Sequence, residues 1–395
     1  MKTPDYRRVL ALKSAFLTIL LCLFAISNLD AQRQPSKIKS PEVLPDNSVV
    51  FRLLAPNATT AEVMGSWPTE FKNIIPMAKK DSVFELKIGP LPSDMYEYEF
   101  IIDGVHGLDP LSNFITRDGA WTMNRLMIPG TLADVYDVKP VPHGQVTAIW
   151  YPSPTLGGDR KMHVYTPPGY EKDKNNYPVL YLMHGGGGDE ECWLSRGRAN
   201  YVLDNLIAAK KALPMIIVIT NGNPNTIAAP LDRTAANSTP PVGISSMASG
   251  KFEESMVKDV IPYIEKNYRV IKDANHRAIT GFSMGGYQTQ NITNANPDMF
   301  KYIGVMSMGL FSSAGANSNY NKELHVKQLE ALKKSNPKLY WIAMGKEDFL
   351  YQTVGKLTAL YDEVGLKYTY RENNGRHDWN AWRLYLNEFS QMLFK

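Results

Sequence analysis

The fold this sequence predicts is a doubly wound α/β sheet preceded by a small all-β sandwich, and three observations carry it. Short alternating β-capable runs broken by Pro, Gly, Asn and Asp fill the first third of the chain. Strands and helices alternate through the remainder. Within that alternation, Gly281-Phe282-Ser283-Met284-Gly285 marks a sharp strand-to-helix turn.

The first residues predict export. Lys2, Arg7, Arg8 and Lys13 precede an apolar run from Ala15 to Ile26 that ends near Asp30-Ala31-Gln32, the pattern of a signal peptide cleaved after Ala31. The run is too short for a comfortable membrane span, so no span is expected in the mature chain. A periplasmic or extracellular protein of a bacterium is therefore expected. Cys22 follows Leu21 rather than a small residue, which argues against lipidation. Cys192 is then the single cysteine of the mature chain, so a core and not disulfides must hold the fold. The formal charge is +4, and half of it belongs to the leader, where four Lys/Arg face Asp5 and Asp30. Such a balance predicts neither a nucleic-acid partner nor an anionic membrane surface.

Residues 32–45 read as a polar linker with Pro35 and Pro41, and residues 46–138 as an immunoglobulin-like sandwich. Its strands are expected at Val49–Leu53, Ala61–Met64, Val83–Ile88 and Tyr96–Ile102. Lys139-Pro140-Val141-Pro142-His143-Gly144 breaks the pattern and sets a boundary before a second domain at 145–395. There, strands are expected at Lys161–Thr166, Tyr177–Met183, Met215–Thr220, Arg277–Thr280, Tyr302–Ser307, Leu339–Met344 and Lys367–Tyr370. Helices are expected at Arg198–Lys211, Phe252–Tyr268 with Pro262 disturbing its start or course, Tyr287–Asn296, Leu324–Lys334, Gly355–Val364 and Trp379–Leu393. Met215–Thr220 reads as fully buried, as a parallel sheet covered on both faces requires.

The turn at Ser283 fits G-x-S-x-G, a strained elbow that presents a serine at its apex. A serine is a poor nucleophile until an imidazole takes its proton, and the imidazole needs a carboxylate to fix its tautomer. Both partners follow: Asp348 after the Leu339 strand and His377 after the Lys367 strand, with Glu347 the rival for the carboxylate. Ser…Asp…His is the chain order of α/β-hydrolases, and all three lie at strand C-terminal ends. Upstream, the Tyr177 strand runs into His184-Gly185-Gly186-Gly187-Gly188. This is an oxyanion-type loop in which the amides of Gly186 and Met284 are the expected donors, with His184 shaping it. A phosphate loop is the alternative for a glycine run, but no Gly-Lys-Ser/Thr follows. No HExxH or closely spaced histidine pair is present, so no metal or other cofactor is expected. Trp193, Trp379 and Trp382 are candidates for an aromatic wall or for packing beneath it. Residues 221–250, long and polar, read as a substrate-facing loop carrying Arg233.

Two resemblances follow from these motifs. Ser66-Trp67, the YEYEF run, Asp103-Gly104 and Leu108-Asp109-Pro110 are similar to the early-set, glycogen-binding-like sandwiches that precede many carbohydrate-active enzymes. That likeness implies a carbohydrate-binding module, with Trp67, Tyr96 and Tyr98 either stacking on sugar or packing inside. The TPPGY run at Thr166–Tyr170, the YLMHGGGG loop, Gly281–Gly286, the GKEDFLY run and His377-Asp378-Trp379 with Trp382 resemble the esterase D group. That group includes the feruloyl and acetyl-xylan esterases of carbohydrate esterase family one. The resemblance implies Ser283 as nucleophile, His377 as base then acid, Asp348 as orienting acid, and a decorated xylan-type polysaccharide ester as substrate partner. Siderophore esterases share the sandwich-then-hydrolase layout, and a glycan-binding protein on a dead hydrolase scaffold is the non-enzymatic alternative.

Overall fold

The computed structural model describes residues 38–68, 70–226, 228, 249–310 and 320–395. The leader at 1–31 and Arg233 lie outside them.

The sandwich carries β1 (Glu42–Val43), β2 (Val49–Leu54), β3 (Ala61–Gly65), β4 (Ile74–Pro76), β5 (Ala78–Lys80), β6 (Val83–Ile88), β7 (Asp94–Ile102), β8 (Val105–Gly107), β9 (Ile115–Asp118) and β10 (Trp121–Ile128). One sheet runs β1-β2-β6-β5 and the other β4-β3-β7-β10-β9, with β8 on β7. The domain begins inside the stretch read as linker. Val43 pairs with Val49, and the buried Ser40 hydroxyl donates to Asp109 at 2.8 Å, so the short polar run is tied into the sheet. Trp67, Tyr96 and Tyr98 are 1%, 2% and 0% exposed. Trp67 and Tyr98 pack on Phe51 within the sandwich core, so the packing reading holds for all three.

The second domain is an 8-stranded sheet in the order β11-β12-β14-β13-β15-β16-β17-β18. These strands are β11 (Gln145–Ser153), β12 (Gly158–Thr166), β13 (Val179–Met183), β14 (Ile216–Thr220), β15 (Arg277–Phe282), β16 (Tyr302–Met306), β17 (Leu339–Gly345) and β18 (Thr369–Asn373). From β14 to β18 all pairs are parallel, while β11 and β12 add an antiparallel edge. Helices are α1 (Cys192–Ser195), α2 (Ala199–Ala208), α3 (Lys251–Ser255), α4 (Ile261–Asn267), α5 (Met284–Ala295), α6 (Lys322–Ser335), α7 (Tyr351–Val364) and α8 (Trp379–Ser390). The single helix expected over 252–268 is split. Its middle, Met256–Val260, winds as a π-helix immediately before Pro262. A proline ring clashes with the carbonyl four residues earlier, and a wider turn relieves that contact.

Helices cover both faces, as predicted for strands without polar alternation. α4, α5, α6 and α7 bury Ile264, Ile292, Leu329 and Leu357 on one face. α2 and α8 bury Leu203, Trp382 and Phe389 on the other. The second cluster also holds Met95, Ala133 and Tyr136 from the sandwich side, so the two domains share a core rather than hanging from a tether. Ion pairs run across the seam: Arg196 to Glu97 and, at 2.9 Å, to Asp118; Arg117 to Asp189 at 2.6 Å; Arg383 to Asp94 at 3.1 Å. No helix of the described residues is long and apolar enough to cross a membrane.

Candidate active site

The sheet's register decides which loops meet. Met183 of β13 pairs with Gly281 of β15, so the His184 loop and the Ser283 elbow leave neighbouring strands at one level. Gly345 of β17 pairs with Asn373 of β18, which does the same for the loops carrying Asp348 and His377. Only β16 separates the two pairs. Strands lie about 4.8 Å apart, so the backbones that carry serine and carboxylate stand roughly 10 Å from each other, a gap that the two side chains close with an imidazole between them.

Ser283 has φ 53° and ψ −119°, a positive-φ strain of the kind a nucleophile elbow calls for. Its N–H donates to Met306 O at 3.0 Å and its carbonyl accepts from Tyr287 N at 2.9 Å, so strand and helix both hold the turn. A Cβ on Gly285 would lie 2.6 Å from the His184 carbonyl, which is why glycine is required where α5 passes the loop after β13. Met284 is the first residue of α5, and its amide has no intrahelical acceptor by position. Gly186 is exposed and lines the cavity in front of Ser283. His184, fully buried, bonds Gly185 O through Nδ1 at 2.7 Å and accepts from Gly222 N at 2.8 Å, pinning the loop after β13 to the loop after β14.

Asp348 is buried, and both its oxygens lie on His377 Nδ1, at 2.9 and 2.8 Å. Its Oδ1 also accepts from Leu350 N at 2.8 Å, leaving little freedom to turn away. Glu347, the rival, is exposed and lines a neighbouring cavity that does not include His377. His377 packs between Phe349, with ring centroids 4.4 Å apart, and Trp382, which meets it edge-on at 5.1 Å. Ser283 and His377 line one cavity of about 310 Å³.

The tryptophans separate. Trp382 stacks on Phe282 at 3.8 Å and donates to Ser307 Oγ, while Trp379 donates to Asp118 at 3.1 Å, and both line the cavity. Trp193 does not reach it. It is fully buried behind Phe282 and Trp379, donating to Met183 O at 2.9 Å, so it supports the wall rather than forming it.

Sequence reasoning missed that the sandwich builds part of this cavity. Gly65, Ser66, Trp67, Asn73, Glu97 and Asp118 all line it opposite the hydrolase loops. Glu97 is 4% exposed, and its partner Arg196 lies over Trp379 with 5.7 Å between guanidinium and ring centroid. Gly119, at φ +57°, sits so close to the oxyanion loop that a Cβ there would stand 1.9 Å from Gly187 O. A possible signal was Asp94 and Glu97 in a strand otherwise suited to a core, but a solvated outer face explains such residues equally well in sequence. Among the described residues, no cluster of His, Cys, Asp and Glu gathers to hold a metal.

Residues 153–393 match the family model described as "Putative esterase", and residues 39–118 match carbohydrate-binding module 48, the isoamylase N-terminal domain. An endo-1,4-beta-xylanase/feruloyl esterase of Xylanibacter ruminicola is 29% identical over 313 residues, covering 78% of this chain and 39% of that relative. An esterase of Mycobacterium tuberculosis is 31% identical over 142 residues, covering 35% of this chain and 27% of its own. The chain thus spans less than half the length of these relatives. Among solved structures, a ferulic acid esterase is 28% identical with a TM-score of 0.52, covering 64% of this chain and 99% of that one. The enterobactin esterase FES of Shigella flexneri is similar in fold alone. Its TM-score is 0.60 at 16% identity, and the match covers 88% of this chain and 94% of that one, sandwich included. The chain belongs to the putative-esterase family, as a doubly wound α/β-hydrolase domain behind a module-48 sandwich.

Proposed function

We propose that the protein is an exported serine carboxylesterase that removes feruloyl or acetyl groups from xylan-type plant polysaccharide or its oligosaccharides. The observation that carries this reading is the two-oxygen contact of Asp348 with His377 Nδ1, in a cavity shared with the strained Ser283 elbow.

Asp348 holds the Nδ1–H tautomer, which leaves Nε2 as the base. Ser283 Oγ attacks the ester carbonyl while His377 Nε2 takes its proton, a contact that forms as substrate binds. The amides of Gly186 and Met284 stabilise the oxyanion. His377 returns the proton to the departing sugar hydroxyl, and water activated by the same ring then releases the acid. Trp379 and Trp382 give the cavity flat apolar walls suited to a phenolic acyl group, and the names of the 29% and 28% identical relatives favour ferulate.

A siderophore ester is the second reading, favoured by the whole-chain likeness to FES in fold. The leader pattern and the relatives' names weigh against it. Labelling by a fluorophosphonate in wild type but not in Ser283→Ala is the expected result. Hydrolysis of methyl ferulate against acetylated xylo-oligosaccharide then assigns the acyl group. Labelling that persists in Ser283→Ala overturns the nucleophile, and activity on neither ester overturns the substrate class.

A further inference from the structure

A second cavity of about 330 Å³ lies along the same domain seam and shares Ser66, Trp67, Arg376, Asp378 and Asn380 with the catalytic cavity. The two therefore form one cleft, divided by the loop that carries His377. That loop has a mechanistic side. The group that protonates the leaving oxygen must stand next to the leaving alcohol, so the alcohol departs on the His377 side. The residues flanking His377, Arg376 and Asp378, both line the second cavity, which places it where the next part of the alcohol extends.

Its lining suits a polyol. Asn373 at the end of β18, Asn374 after it and Asn380 in α8 present amides from the hydrolase domain, and Ser66 and Ser93 present hydroxyls from the sandwich. The oxygen of Asn373 is occupied by Gly375 N and Tyr385 Oη, and that of Asn380 by Arg383, so their NH₂ groups are the donors left for a ligand. Trp67, common to both cavities, has a buried indole N–H without an acceptor among the described residues. Charge selects further. Asp94 is already paired with Arg383 and Asp378 caps α8 by accepting from Ala381 N, yet the carboxylates of Glu70, Glu347 and Asp378 outnumber Arg376, the cation of this lining. A ligand carrying its own carboxylate would meet excess negative charge.

We propose that this second cavity is a subsite for an uncharged glycosyl unit of the leaving polysaccharide, selecting neutral over uronate-bearing chains. The proposal rests on the esterase reading for its place in the reaction, but its binding test does not.

The full-length protein carrying Ser283→Ala is titrated calorimetrically with unesterified neutral arabinoxylo-oligosaccharide and with its glucuronate-bearing counterpart. The neutral ligand is expected to bind at least fivefold tighter. Adding Leu384→Trp, which fills the cavity from α8, should weaken neutral binding tenfold or more. The exposed Asn374→Ala should weaken it three- to fivefold without a folding burden. With Ser283 restored, both variants should keep kcat/KM for methyl ferulate within twofold. Both should lose it for feruloylated arabinoxylo-oligosaccharide, through KM. No neutral binding, equal binding of the uronate ligand, or binding unchanged in both variants overturns the proposal. So does an equal loss on both esters. A wild type inert on every ester would sink the esterase reading alone, since oligosaccharide binding lost in Leu384→Trp would still establish the subsite.

Discussion

Replacing Gly119 with alanine tests whether the sandwich bears on catalysis or merely accompanies it. Gly119 lies in the β9–β10 turn of the sandwich, outside the hydrolase domain. Its φ of +57° costs an L-residue about 1 kcal/mol. The larger effect is steric. The added Cβ would stand 1.9 Å from the carbonyl oxygen of Gly187, whereas ordinary contact begins at 3.4 Å, so the two backbones must part by about 1.5 Å. Gly187 immediately follows Gly186, the proposed oxyanion donor. Misplacing such a donor by an ångström costs on the order of 100-fold in rate. We expect Gly119→Ala to lower kcat on methyl ferulate roughly 10- to 100-fold, with stability down by about 1–3 kcal/mol. Trp121→Ala, at a side chain 71% exposed in the same hairpin, should change neither and serves as control. A Gly119→Ala protein with wild-type kcat would refute the reasoning, because the strain would then have been absorbed by the sandwich turn without reaching the loop.

Three further expectations follow from single contacts. Asp348→Asn should cost about 10⁴-fold in kcat by favouring the wrong imidazole tautomer, while Glu347→Gln stays within a few-fold on methyl ferulate; similar losses in both would put the orienting role in doubt. Arg196→Met strands the Glu97 carboxylate, whose side chain is 5% exposed, and should destabilise by about 3–5 kcal/mol in urea unfolding. Adding Glu97→Gln should recover a large part, and strict additivity would count against the pair. Burial holds the His325 ring, between Asn294 and Tyr320, below its ordinary pKa of about 6.5. The unfolded chain binds the extra proton between that value and the lower folded one. Stability is therefore full above pH 6.5 and falls as pH drops through this window. His325→Gln should flatten Tm between pH 7 and 5, and parallel curves would refute the assignment.

The central strands were legible because burial on both faces leaves a plain signature: β13, β14 and β16 are buried at every position and, Thr220 apart, carry no polar aliphatic or charged side chain. The elbow was legible because its geometry restricts the residue types allowed. β11 was not legible. It is an antiparallel edge strand exposed along most of its length, with Trp150 56% in solvent, so its short apolar run at Ala148–Tyr151 lacks the fully buried signature of the central strands. Trp193 was ambiguous for a different reason. An indole one layer behind a cavity obeys the same sequence preferences as one on its wall, and only Phe282 and Trp379 standing in front of it decide the matter.

β7 shows where periodicity stops being informative. Tyr96, Tyr98 and Phe100 alternate with Glu97 and Glu99, which reads as one face inward and one face in water. The first half of that reading is right, since the aromatics fill the sandwich core. The second half fails at Glu97, because the outer face there meets the hydrolase domain. A period of two names the faces of a strand but not what each face touches. A carboxylate on the outer face is equally consistent with solvent and with a buried ion pair across a seam. Glu97 and Asp94, which would solvate a free-standing module, are here paired to Arg196 and Arg383, and Glu97 lines the cavity that holds Ser283. Substrate contacts from the sandwich are therefore to be sought along this seam, where its polar face is enclosed, and not on a sugar platform elsewhere on the module.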